Sequence, residues 1–278
     1  MERTMFDAVV ARLTAPEARE IDRGLPEWAR RSNPIVRRHL GEHWKMMALD
    51  ITVVARLFMI NGIVILLSLP MPFLLTMIMP TVTVSFVLLP TGFILYGQSL
   101  LMIGIVSAIV VSDERRNRSL DLLRVCPRPL WQVLYSKVAA AVWRQLENLT
   151  LIITTLALFS LPLLIIQYDM TISTSENPIL MRVAVMLALA SSLIRILLEA
   201  ALVGAIGAMA GASTSMRAPA VIATVLLSAA YFLFINLFRL VHMDLEARLF
   251  VEIFLPLLLP VIIIPLCFRA AAYMLTRD

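Results

Sequence analysis

The chain consists of long apolar stretches separated by short polar ones. No charged residue occurs in the 56 positions from 57 to 112. A helix needs about 20 apolar residues to cross a bilayer, so this stretch has room for two spans and their connection. Four further apolar stretches follow it. The pattern therefore predicts six membrane-spanning helices, at about residues 54–77, 90–112, 146–166, 183–211, 218–240 and 249–268.

Residues 1–53 are predicted to form a polar segment ahead of the first span, and residues 54–278 a single six-span domain. Asn33-Pro34 has the form of a helix start, because proline fits the first position of a helix. In the stretch that follows, apolar residues lie near one helical face and basic residues spread over the others. This distribution predicts an amphipathic helix at the membrane surface, with a solvated helix as the alternative.

Composition supports an all-α, polytopic membrane protein. Of the 278 residues, 60% are hydrophobic and 15% are charged, and the mean hydropathy is +0.88. Soluble domains have about 25% charged residues. The two cysteines are too few for a disulfide framework. The polar stretches are too short for a separate soluble catalytic domain.

The Lys and Arg residues predict the orientation of the spans. With six spans and both termini on one side, 19 of these residues lie on that side, three on the other and two in or beside spans. Loops rich in Lys and Arg stay in the cytoplasm. We therefore expect cytoplasmic termini in a cytoplasmic (inner) membrane. The same topology explains the net charge of +5, so we predict no nucleic-acid partner.

A charged stretch, residues 112–137, separates the second and third predicted spans. Ser119 can cap a short helix, and Asp121 lies in its first turn, where the helix dipole favours an anion. Pro127 ends this helix, because the residue before a proline is disfavoured in the helical conformation. The apolar positions are Leu120, Leu122 and Leu123. The pattern predicts a short amphipathic helix between two spans.

This stretch resembles the hallmark of ABC-2-type transporter permeases. In that family a Glu is followed by Gly-Thr-Leu-Glu-Leu-Leu, a Pro four residues on, and Gly-Lys at the start of the third span. The corresponding residues here are Glu114, Ser119, Leu120, Asp121, Leu122, Leu123, Pro127 and Lys137. The departures from the pattern are Arg118 for Gly, Ser119 for Thr, Asp121 for Glu and Ser136 for Gly.

The resemblance implies that residues 113–130 form a coupling helix that docks into a separate ATPase subunit. The leucines and Pro127 would fill a groove of the ATPase, and Glu114 and Asp121 would make polar contacts around it. It also implies export, a second copy of the permease or a homologous permease, and surrounding membrane lipids. ATP and Mg²⁺ would bind to the partner ATPase, so no cofactor is expected in this chain.

Two other classes of function are weighed against this interpretation. The chain could be a structural, non-transporting subunit of a larger membrane complex, or a permease relative without an ATPase. An enzyme is not expected, because the sequence contains no nucleotide-binding or catalytic motif. No metal site is expected either: His39 and His43 are spaced four apart, but they lie on a basic amphipathic stretch, and the third histidine, His242, does not cluster with them.

The fourth predicted span contains two further candidate features. Arg195 and Glu199 are four residues apart, so they can pair on one helix face. Charges within a span are unfavourable unless they are paired or functional. The pair could line a substrate path or be purely structural, and the structural interpretation is favoured. Small residues predict close helix packing later in the span, at Gly204, Gly207 and Gly211.

Overall fold

A computed structural model describes residues 24–41, 51–78, 81–117, 129–171, 178–241 and 243–277. Within these ranges the chain is helical apart from short turns and has no strand. A π-helical turn, Phe250–Phe254, joins the last two helices. The helices are α1 (Pro34–Leu40), α2 (Ile51–Leu67), α3 (Phe73–Ile78), α4 (Val82–Arg116), α5 (Leu130–Arg144), α6 (Leu146–Thr171), α7 (Pro178–Ser213), α8 (Arg217–Leu240), α9 (Leu245–Leu249) and α10 (Leu255–Arg277).

Five helical segments are long and apolar enough to cross a membrane, so the chain is a multi-pass membrane protein with an all-α fold. They are Val82–Arg116, Leu146–Asp169, Pro178–Ser213, Arg217–Phe238 and Leu245–Arg277. The predicted first span, residues 54–77, is divided between α2 and the short helix α3. α2 has 17 residues, fewer than the roughly 20 of a full span. The described part of the chain therefore contains five full-length spans instead of six.

The bounds of the spans differ from the predicted ones mainly at prolines and at polar ends. The pattern predicts a turn bracketed by Pro80 and Pro90, but Pro90 lies inside α4 and Pro80 lies outside the described residues. Prolines are tolerated inside spans because neighbouring groups satisfy the freed carbonyls. Similarly, α7 begins at Pro178 and includes Arg182, which the pattern places in a loop. Hydropathy marks the apolar middle of a helix and misses such ends.

α7 is the central helix of the bundle and packs against α4, α5, α6, α8 and α10. Its glycines face α4 at short range. A Cβ on Gly207 would overlap the carbonyl of Gly104, and one on Gly211 would overlap the carbonyl of Ala108. A Cβ on Gly204 would lie 2.5 Å from Val138 of α5. The small residues thus bring α7 close to α4 and α5 within the same chain.

Arg182 joins the start of α7 to the end of α2 through buried hydrogen bonds. Its guanidinium donates to the hydroxyl and the carbonyl of Ser68, at 2.9 and 2.7 Å, and to the carbonyl of Pro178 at 2.8 Å. The C-terminus of α2 carries a partial negative charge that favours a cation there. This contact explains how a buried arginine is accommodated in an apolar bundle.

Candidate functional site

Three successive charged residues at the end of α4 contact three different helices. Asp113 accepts two hydrogen bonds from Arg217 at the start of α8, at 2.6 and 2.7 Å. Glu114 forms an ion pair with Lys137 of α5. Arg115 donates to the carbonyl of Ala212, near the end of α7, at 2.6 Å. We call this part of the bundle the basic end: the ends of α4 and α7, the start of α8, and helices α1 and α5.

The pair between Glu114 and Lys137 is more deeply buried than the pair between Asp113 and Arg217. The side chain of Lys137 is 2% exposed and that of Glu114 is 20% exposed. Burial lowers the pKa of Lys137 to about 7, and the charge of Arg38 contributes in the same direction. The carboxylate of Glu114 opposes this change because it stabilises the ammonium form. The charge of Lys137 therefore depends on Glu114.

Helix α1 packs against α5 at the basic end. Asn33 caps α1 by accepting a hydrogen bond from the backbone of Ile35, and its amide donates to the hydroxyl of Ser136. Val36 and Leu40 are buried against Ala140 of α5. The buried side of α1 is therefore covered by protein, and the rest of the predicted surface helix, residues 42–50, lies outside the described residues. The contact joins residues about 100 positions apart, which a local pattern does not reveal.

The attachment of α1 is expected to depend on pH through His39. Burial, and then the charges of Lys137, Arg38 and Arg144, lower the pKa of His39 to about 4, from an ordinary value of 6.5. A free α1 binds a proton near pH 6.5, and the attached helix does so only near pH 4. The attachment is therefore strongest above pH 6.5 and weakens as the pH falls from 6.5 to 4.

Hydrogen–deuterium exchange measures this dependence, after correction for the intrinsic effect of pH. Protection of the α1 amides should fall several-fold between pH 7.5 and pH 5, and the His39→Gln variant should keep only the smaller dependence that comes from Lys137, whose pKa is about 7. An equal pH dependence in the variant and the wild type would contradict the assignment to His39.

The predicted coupling helix itself, with Ser119, Leu120, Asp121, Leu122, Leu123 and Pro127, lies outside the described residues. Its two flanks are described. Asn117 follows α4 directly, and Pro129 precedes α5. Because Glu114 and Lys137 are paired, both flanks are anchored at one place on the basic end.

A cavity of about 640 Å³ lies between α4, α6, α7, α8 and the π-helical turn. Half of the residues that line it are apolar, and the other half have polar or charged side chains. The polar and charged ones are Tyr96, Ser160, Gln167, Tyr168, Ser191, Ser192, Arg195, Glu199, Asn236 and Glu252. A cavity of this size holds a drug-sized molecule.

Arg195 and Glu199 meet in this cavity, as their spacing suggests. Nε of Arg195 donates to one carboxylate oxygen of Glu199, and the hydroxyl of Tyr96 donates to the other at 2.7 Å. The side chain of Glu199 is 2% exposed and that of Arg195 is 20% exposed. The sequence pattern does not identify Tyr96, because one tyrosine in an uncharged span gives no signal of its partner.

Glu252 is a second carboxylate of the cavity, at the π-helical turn. One of its oxygens accepts from Arg248 at 3.0 Å. The other accepts from Gln167 at 3.2 Å and from Tyr168 at 3.3 Å. Arg248 and Glu252 repeat the four-residue Arg–Glu spacing seen in α7, which is the signal that could have found this residue.

Within the described ranges, no three His, Cys, Asp or Glu residues lie close enough together to hold a metal ion. Comparisons of the chain with protein-family models, with curated proteins and with solved structures found no match.

Proposed function

We propose that this chain is the membrane-spanning permease subunit of an ABC-2-type transporter, an exporter driven by a separate ATPase subunit that docks on residues 113–130. The observation that carries the proposal is the ion pair between Glu114 and Lys137. These are the first and last residues of the family-like pattern. Their contact supports a docking segment whose two ends are held together on the surface of the bundle.

The contacts of the basic end suggest how a movement of the docking segment would reach the cavity. The segment follows α4, which is one continuous helix from Val82 to Arg116. Tyr96 lies on the same helix, 18 residues before Glu114, or about 27 Å along the axis at 1.5 Å per residue. A displacement of α4 by the ATPase would therefore move Tyr96 relative to Glu199 of α7. The chain would transmit force and would need no catalytic residue of its own.

The basic end is proposed to face the cytoplasm, because most Lys and Arg residues belong to segments that this orientation places inside. The membrane would be the cytoplasmic one. Both termini would be inside, with α2 as a sixth, shorter span whose end meets the start of α7 through Ser68 and Arg182. A second copy of the chain, or a homologous permease, would complete the transport path, with lipids around the pair. ATP and Mg²⁺ would be bound by the ATPase.

Affinity purification of the intact protein in mild detergent tests the proposal. We expect an ATPase subunit to copurify at an equal ratio. Copurification of other membrane subunits without an ATPase would favour the structural-subunit alternative instead.

Leu123→Asp is expected to reduce ATPase stimulation by at least tenfold, since a carboxylate would have to enter an apolar groove. Loss of one buried leucine contact and burial of a charge together exceed about 1.4 kcal/mol, which corresponds to tenfold. ATP hydrolysis by the copurified complex provides the measurement. Met216→Asp is the matched control, because it adds the same charge at an exposed residue of the basic end. Unchanged stimulation in Leu123→Asp would contradict docking at this segment.

A further inference from the structure

In the cavity, the carboxylate oxygens already accept hydrogen bonds, whereas some of the N–H and O–H donors have no acceptor in the parts of the chain that the structure describes. Both carboxylates accept hydrogen bonds on each of their oxygens: Glu199 from Arg195 and Tyr96, and Glu252 from Arg248, Gln167 and Tyr168. Each oxygen thus has at most one free lone pair, so a cation would share these carboxylates with donors that are already in place. The two acids are therefore engaged mainly in contacts within the wall.

Arg195 retains most of its donors. A guanidinium has five N–H groups, and Nε alone donates to Glu199. The two terminal nitrogens of Arg195 donate to no other residue in the described part of the chain. The side chain lines the cavity and is one-fifth exposed. Paired terminal nitrogens bind a carboxylate or phosphate through two parallel hydrogen bonds.

Ser160 of α6 adds a second donor. Its hydroxyl lines the cavity, the residue is 6% exposed, and the oxygen has no hydrogen-bond partner among the described residues. A buried hydroxyl without a partner is unfavourable by about 1–3 kcal/mol. A ligand that brings an acceptor oxygen would remove that cost.

Ser191, Ser192 and Asn236 also line the cavity, but each donates its hydrogen bond to a backbone carbonyl, and the remaining lining residues are apolar. Phe93, Leu100, Leu156, Leu163, Ile196 and Phe232 surround the polar groups. A ligand that accepts hydrogen bonds from the free donors and also contacts the apolar residues must therefore combine an acceptor head group with a hydrocarbon part.

We propose that this cavity binds an amphipathic molecule whose head group is an oxyanion, a carboxylate or a phosphate, held by the terminal nitrogens of Arg195. In this arrangement Arg195 lies between the carboxylate of Glu199 and the ligand oxyanion and bonds to both. The hydrocarbon part of the ligand occupies the apolar wall. Binding depends on the cavity alone, and the identification of the ligand as transported cargo rests on the proposed function.

Competition binding to the wild-type protein tests the head group. The protein, in phosphatidylcholine nanodiscs and without any ATPase subunit, is incubated with radiolabelled dodecanoate, and empty nanodiscs give the background. Dodecyl phosphate should displace the label at similar concentrations to unlabelled dodecanoate. Dodecan-1-ol and dodecyltrimethylammonium, which have the same chain, should be at least tenfold weaker. Absence of saturable binding, or equal displacement by the ammonium compound, would overturn the proposal.

A double variant tests the role of Arg195. Arg195→Gln combined with Glu199→Gln removes both charges and leaves no unpaired carboxylate in the wall. Its affinity for dodecanoate should be at least tenfold weaker than that of the wild type, and its affinity for dodecan-1-ol should be unchanged. Arg217→Gln, which removes an exposed arginine at the basic end, away from the cavity, should stay within twofold of the wild type. Wild-type affinity in the double variant would contradict the proposal, and if that variant does not fold, the head-group series decides alone.

The two proposals can fail separately. If the protein binds dodecanoate selectively but purifies without an ATPase, the oxyanion site in the cavity is supported. The interpretation of its ligand as transported cargo is then contradicted. An ATPase complex that binds no dodecanoate would leave the transporter proposal in place and overturn the oxyanion site.

Discussion

Gly207→Ala is expected to destabilise the protein by about 2–3 kcal/mol, although alanine is the better helix former. A Cβ at this position overlaps the carbonyl of Gly104, so α7 and α4 must separate along their contact. Backbone atoms cannot rotate away as a side chain can, and overpacking typically costs 1–3 kcal/mol. Reversible unfolding in mixed micelles, with increasing fractions of SDS, gives the free energy of unfolding.

Gly97→Ala is the matched control, because it is the same change in a helix of the same bundle. A Cβ at Gly97 would meet no atom within 4 Å. Its effect should be neutral, or stabilising by up to about 1 kcal/mol from the greater helix propensity of alanine. Equal effects of the two substitutions would mean that α4 and α7 do not approach each other closely at Gly207.

Lys137→Met is expected to destabilise the basic end by about 3 kcal/mol. Methionine fills the space of the lysine stem, but the carboxylate of Glu114 loses the partner that compensates its burial. Breaking a buried ion pair at one side typically costs 3–5 kcal/mol, and the partial exposure of Glu114 places this pair at the lower limit. The same unfolding assay provides the measurement.

The double variant Lys137→Met, Glu114→Gln should recover most of that loss, because neither side chain then carries a charge. Arg217→Gln gives a second comparison. Its ion pair with Asp113 is on the surface, with 60% of the arginine side chain exposed, so the loss should be much smaller. If Lys137→Met were as mild as Arg217→Gln, the pair with Glu114 would not be buried as described.

The all-α class and the positions of most spans could be predicted from sequence, because a bilayer requires long apolar helices and few other structures satisfy that requirement. Local spacing was also sufficient to pair Arg195 with Glu199. The helix ends were less predictable. Pro90 and Arg182 are exceptions to local rules, and each is tolerated through contacts with other helices.

Contacts between distant residues were beyond the reach of the pattern. The sequence pattern includes both Glu114 and Lys137, but nothing local indicates that they pair across 23 positions. Local sequence predicts a helix start at Asn33, but the bond of Asn33 to Ser136 depends on how α1 packs on α5. The cavity is made by five elements together, so it has no signature in any one stretch.

The length of the central helices has a consequence for how the protein sits in its membrane. α4 has 35 residues and α7 has 36, so each is about 53 Å long at 1.5 Å per residue. The bilayer is about 40–45 Å thick including its head groups. Even tilted by about 20°, such a helix extends several ångströms into water. A bilayer of different thickness would therefore change the tilt of the bundle, while the terminal turns of α4 and α7 would stay clear of the lipid surface.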